Sequence, residues 1–136
     1  MANDSEMIDK ESIVYTKVKY PLFIAYPKAL FTTGTPQTTP TAFPCIVIKQ
    51  VDNPITTTDL EGNEDAVTSY IQIEIYTNTD SALSTSRAIA KIADGAMKSM
   101  FYVRTYGFAQ EPNATDTSIL KRIGRFSRVI ADGDTV

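Results

Sequence analysis

The clearest pattern in the chain is a two-residue alternation from Val67 to Thr77. Val67, Ile71, Ile73 and Ile75 are apolar and β-branched, and Thr68, Gln72 and Glu74 between them are polar. Successive side chains of a strand point to opposite faces, so this stretch predicts a strand with one dry face and one wet face. Tyr70 and Tyr76 fall on the wetter side. After Asn78-Thr79-Asp80 the period becomes helical. Leu83, Ile89, Ile92, Ala93, Ala96, Met97 and Met100 form one stripe, with Arg87, Lys91, Asp94 and Lys98 largely between them. Asp80 or Ser81 is placed to cap this helix. A one-faced strand and a one-striped helix joined by a short polar turn can bury each other, and the rest of the chain is organised around that pair.

Taken in order, the remaining pattern predicts a first helix over Asp9 to Tyr20, with Ile13, Val14 and Val18 as its apolar stripe. Pro21 is expected to stop or kink it, with Leu22, Phe23 and Ala25 as a possible extra turn before Tyr26-Pro27. Thr32 to Thr41 is a low-complexity run of Thr, Pro, Gly and Gln that cannot pack a core. It is expected to be a mobile loop that orders only against a neighbour. Phe43 to Val51 reads as a strand buried on both faces through Cys45, Ile46, Val47 and Ile48. A turn at Asp52-Asn53-Pro54 leads to a short exposed strand over Ile55 to Leu60. The turn Glu61 to Asp65 then feeds the Val67 strand, so an antiparallel meander is expected. Phe101 to Ala109 and Ile119 to Ile130 complete the strands. The broken parity of Ile119, Ile123, Phe126, Val129 and Ile130 suggests a bulge near Gly124. The fold class is therefore α+β: an antiparallel sheet of about five strands with the long helix and an N-terminal helix packed on one face.

A length of 136 residues fits one domain over residues 1–136, large enough to fold without staples. Cys45 is the single cysteine, so no internal disulfide is possible, and its apolar neighbours mark it as a small buried hydrophobe. No apolar run reaches the ~18 residues of a membrane span. The beginning Met1 to Glu6 is acidic and polar, unlike a signal peptide, so the sequence predicts a protein made and used without export.

Charge changes the picture more. The net charge is −3, but residues 51–80 carry Asp52, Asp59, Glu61, Glu64, Asp65, Glu74 and Asp80 with no Lys or Arg. Residues 81–136 have an excess of basic side chains. This fits either two solvated faces or a surface suited to head-to-tail pairing with a second copy. Candidate chemistry is sparse. The chain has no histidine, which excludes His-based metal sites and Ser/His or Cys/His catalysis. No phosphate-binding glycine motif occurs. The sequence thus predicts a non-enzymatic protein with no metal or other cofactor.

The order helix, Pro/Thr loop, three strands, long helix, two strands resembles the tail terminator (tail completion) proteins of long-tailed bacteriophages. The resemblance rests on Ile8 to Thr16, Phe43-Pro44-Cys45-Ile46-Val47, Asp52-Asn53-Pro54, Tyr70 to Asn78, Phe108 to Asn113, and Ile123-Gly124-Arg125-Phe126. It spans Ile8 to Ile130 and includes no single diagnostic motif. Tyr20-Pro21-Leu22-Phe23 departs from it where an uninterrupted helix is expected. The resemblance implies a virion structural protein, assembled in the host cytoplasm, that closes into a hexameric ring on the head-proximal end of the tail. The ring would end polymerisation of the tail tube protein and offer a surface to the head connector or stopper protein. Genomic DNA would pass through without specific binding, and no membrane would be involved. A head-completion adaptor and a non-enzymatic soluble binding module are the alternatives.

A ring that passes DNA needs a lumen that does not hold phosphates. On that argument Asp59, Glu61, Glu64 and Asp65 are expected at the channel or its rim, the alternative being a solvated place on the outer wall. Lys121, Arg122, Arg125 and Arg128 are expected to face a neighbouring subunit.

Overall fold

The computed structural model describes residues 7–35, 40–58, 60, 62, 64–78, 81–112 and 118–136. The chain folds as α1 (Glu11–Ala25), β1 (Leu30–Thr32), β2 (Cys45–Asp52), β3 (Ile55–Thr58), β4 (Glu64–Thr77), α2 (Ala82–Ser99), β5 (Val103–Pro112) and β6 (Leu120–Ala131). One sheet has the order β1-β2-β4-β6-β5, and β3 pairs with β4 beyond the end of β2. Both helices pack on one face of it. There Val14, Val18 and Leu22 of α1 meet Ile89, Ala93 and Met97 of α2, with Ile46, Ile48, Ile71, Ile73, Ile75, Phe126 and Ile130 below.

The fold is α+β with two helices on one face, but the sheet is mixed rather than purely antiparallel. β1 pairs with β2 in parallel, Leu30 opposite Cys45 and Thr32 opposite Val47. Residues 33–44 supply the dozen-residue crossover that a parallel pair needs. β1 is too short to show a period of its own, which is why the pattern does not reveal it.

The expected meander is not formed. β2 and β3 do not pair with each other; both are antiparallel to β4, lying one after the other along the same flank. The 14-residue β4 is long enough to hold both. The Asp52-Asn53-Pro54 step is a joint rather than a reversal: Asn53 N–H bonds the Asp52 carboxylate and Thr68 N–H bonds the Pro54 carbonyl.

Pro21 neither stops nor breaks α1, which runs on to Ala25. Proline removes one intrahelical hydrogen bond, but buried Leu22 holds the next turn in the core and its carbonyl accepts the Tyr26 N–H that closes the helix. Ser81 takes the N-cap position of α2 without a capping side-chain bond. Leu83 faces solvent, and Ser86 takes the interior place instead. Its hydroxyl donates to the Leu83 carbonyl and accepts from Arg122 Nε, so a polar side chain is satisfied inside.

The irregularity expected near Gly124 is there, but the extra residues are in β5, opposite Phe126 to Ile123, and not in β6 itself. The β4–β6 register is unbroken from Ala66 opposite Ala131 to Thr77 opposite Leu120, and the irregularities lie in β5 at Arg104 to Ala109. The parity of β6 breaks because its two ends are buried on opposite faces: Phe126 and Ile130 under the helices, Ile123 on the other side. Gly124 has a different reason. A Cβ there would lie 2.7 Å from the Phe108 ring, which packs edge-on against Phe126 at 5.7 Å.

Candidate functional site

The face of the sheet away from the helices carries the polar chemistry of the chain. Glu74 lies on it between Val47 of β2 and Ile123 of β6. The alternation predicted a wet position, yet Glu74 is only 1% exposed. A second small core of Cys45, Val47, Tyr76 and Ile119, flanked by Leu30 and Phe43, covers this end of the face. Tyr76 is buried there too, against the expectation of a wetter side.

A buried carboxylate must be hydrogen-bonded, and this one is. Tyr76 Oη donates to Glu74 Oε1 at 2.7 Å. Thr35 Oγ1 at 2.9 Å, Gln72 Nε2 at 2.8 Å and Lys49 Nζ at 3.1 Å converge on Oε2. Burial pushes the Glu74 carboxyl up, but these hydrogen bonds outweigh it and hold it below its ordinary value. The same burial and the same carboxylate raise Tyr76, and they push the Cys45 thiol up to about 11, which makes it unreactive at neutral pH. Thr35 belongs to the Thr/Pro run expected to be mobile. Lys49 also donates to Thr35, and Thr32 is part of β1, so the start of this run is tied to the sheet. Residues 36–39 of the run lie outside the described residues.

The network continues across the face. Arg125 Nε donates to Gln72 Oε1 at 2.9 Å and its guanidinium lies 5.0 Å from the Tyr106 ring centre. Lys121 Nζ sits 5.6 Å from the Tyr76 ring centre. Towards the β3 end the face opens into a groove of about 440 Å³ lined by Val51, Asp52, Pro54, Tyr70, Thr105 and Arg125. Among the described residues no group of three or more Cys, Asp or Glu side chains is arranged to hold a metal ion. The Glu74 cluster is saturated with donors, so it can fix β2, β4 and the Thr35 segment together but has little capacity left for a ligand.

The four basic residues expected on one interface are divided between the two faces. Lys121 and Arg125 lie on the polar face. Arg122 and Arg128 point under the helices, where Arg122 Nη1 donates to the Phe108 carbonyl at 2.8 Å and Arg128 Nη1 to the Met100 carbonyl at 2.8 Å. These two guanidiniums tie β6 to β5 and to the end of α2 within the chain. Of the acidic group, Asp65 is exposed beside β3, while Asp59, Glu61 and the side chain of Glu64 lie outside the described residues.

A third surface was missed in the sequence reading. The buried stripe of α1 is Val14, Val18 and Leu22; Ile13, assigned to that stripe, faces out. Ile13, Tyr20, Phe23 and Ile24 form a second, exposed stripe with Lys17 between them, Tyr20 being 68% exposed and Ile24 64%. The signal was present: apolar residues recur at helical spacing on two sides of one helix, more than one core-facing stripe requires.

No protein-family model matches the chain, and no curated protein matches it. No helix among the described residues is long and apolar enough to cross a membrane.

Proposed function

We propose that this chain is a non-enzymatic virion structural protein, a tail terminator of a long-tailed phage. It assembles as a ring, hexameric in the reading its sequence resemblance gives, on the head-proximal end of the tail tube. The ring stops tube growth and presents a surface to the head connector, and DNA passes through without specific binding. The observation that carries this reading beyond the resemblance is the exposed apolar stripe of α1. A small domain that leaves Ile13, Tyr20, Phe23 and Ile24 contiguous on one helix has a surface to bury against protein. The polar cluster on the sheet is built for rigidity rather than turnover, which suits a structural subunit.

Adding the purified protein to growing tail tubes tests this. Negative-stain images and native mass should show a closed ring on one tube end and arrested growth. Failure to bind tube ends or to arrest growth would remove the proposal. The groove beside Tyr70 supports a second reading, a soluble binding module, in which Asp52 and Arg125 would orient a ligand over an apolar floor. A protein that ignores tube ends but protects the Tyr70 ring from solvent on binding a small molecule would favour that reading.

A further inference from the structure

Arg125 stands at the mouth of the groove on the open face of the sheet, and a chain of contacts holds it there. The buried Glu74 carboxylate accepts Gln72 Nε2 at 2.8 Å, which turns the other end of that amide, Oε1, toward Arg125 Nε at 2.9 Å. The Tyr106 ring packs against the guanidinium from 5.0 Å. One committed nitrogen and one aromatic contact thus fix a side chain that otherwise has many rotamers. The remaining two nitrogens make a planar fork. The neighbouring cations are engaged: Lys49 with Glu74, Arg104 and Lys98 with Asp94, Arg128 with Asp134. Arg125 has no acidic partner among the described residues, although it is held as firmly as if it had one.

The fork borders an apolar space. Val51, Pro54 and the partly exposed Tyr70 wall the groove of about 440 Å³, with Thr105 beside Arg125. Asp52 lies on its other side. It is opposite Tyr70 in the register, whereas Arg125 is opposite Gln72. Strand spacing and rise put the two Cα atoms roughly 12 Å apart. A fixed guanidinium fork matches a carboxylate, and the walls match an apolar body. Asp52 repels a carboxylate and accepts an N–H, so it sets the direction of what lies between. We propose that the groove takes the C-terminal end of a partner protein's chain. Its terminal carboxylate meets Arg125, its last, apolar side chain packs on Tyr70 and Val51, and a peptide N–H faces Asp52. A small carboxylic acid has no N–H for Asp52, and an open groove covers only one side of it. This rests on the groove being a binding site, the second reading above, and is independent of ring formation.

Acetyl-alanyl-alanyl-phenylalanine, as the free acid and as its C-terminal amide, tests the site when titrated against the protein. Amide NMR shifts of Tyr70 and Thr105 report binding. The free acid should bind at least tenfold more tightly than the amide. Arg125→Gln, at an exposed position, should abolish that preference and leave amide binding unchanged. Gln72→Leu keeps the charge but releases the guanidinium, and should reduce the preference. Hydrocinnamate, a small acid with the same ring, should bind more weakly than the peptide acid. Equal binding of acid and amide, or a preference that survives Arg125→Gln, overturns the carboxylate assignment and leaves the groove a binding site. Hydrocinnamate binding as tightly as the peptide acid overturns the chain-end occupant. No shift with any probe at millimolar concentration overturns the groove reading together with the proposal.

Discussion

Glu74→Ala is expected to cost about 3 kcal/mol of folding stability at neutral pH, at the lower end of the range for breaking a buried ion pair. The side chain is buried and accepts from four donors on three separate segments. Removing it leaves Tyr76 Oη without its acceptor in a dry site, and leaves Lys49 facing only the Thr35 hydroxyl. Lys49 is partly exposed and can turn to water, which keeps the cost from the top of the range. Glu74→Gln keeps the shape and should cost less, about 1–3 kcal/mol, because its amide nitrogen faces donors. The effect depends on pH with a defined sign. The folded carboxyl titrates below its ordinary value of 4.5, so the native state binds fewer protons than the unfolded state through that window. The stability Glu74 contributes is full above the unfolded value and is lost as pH falls through the folded one. Urea midpoints of wild type and Glu74→Ala should therefore lie far apart at pH 7 and converge as the pH is taken below 4.5. A constant gap down to the most acid pH at which the protein folds would show that the carboxylate is not what the cluster depends on.

The second large effect is expected at Phe126. This ring is fully buried among the helices and sheet, and Phe126→Ala should cost about 3–5 kcal/mol. Gly124→Ala should cost about 1–3 kcal/mol, because the new methyl group would lie closer to the Phe108 ring than van der Waals contact allows. Phe108 is buried and packed edge-on against Phe126, so it has little freedom to turn away. The two changes should not add. Shortening Phe126 opens space into which Phe108 can shift, relieving the clash at residue 124. The double variant should be more stable than the sum of the single changes implies, by at least about 0.5 kcal/mol in denaturant unfolding. Strict additivity would mean that Phe108 does not link the two positions.

The long elements could be read from the sequence because their periods are long enough to dominate their neighbours. β4 and α2 fall where the alternation and the helical stripe put them, and the two-faced burial of β2 follows from its unbroken apolar run. What could not be read depends on pairing. Whether β2 and β3 form a hairpin or share one flank of β4 is decided by the length of β4, not by any residue in the joint. A three-residue β1 carries no period at all. Alternation assigns Glu74 to water, because it gives the side of a strand and not what covers that side. Its burial comes from Leu30, Phe43 and Ile119, distant in sequence. Arg122 and Arg128 differ from Lys121 and Arg125 only by parity. Parity sends half of the basic cluster under the helices, where it bonds carbonyls of β5 and the end of α2.

If this subunit ends tail-tube growth, as proposed, tube length is the most direct measure of it. Deleting the coding sequence from the genome that carries it, then measuring tails in lysates by electron microscopy, should give tubes of broad and uncontrolled length, many longer than wild type. Supplying the wild-type protein in trans should restore a single length. Tubes of uniform, normal length that only fail to join heads would contradict the claim and assign the protein to head completion.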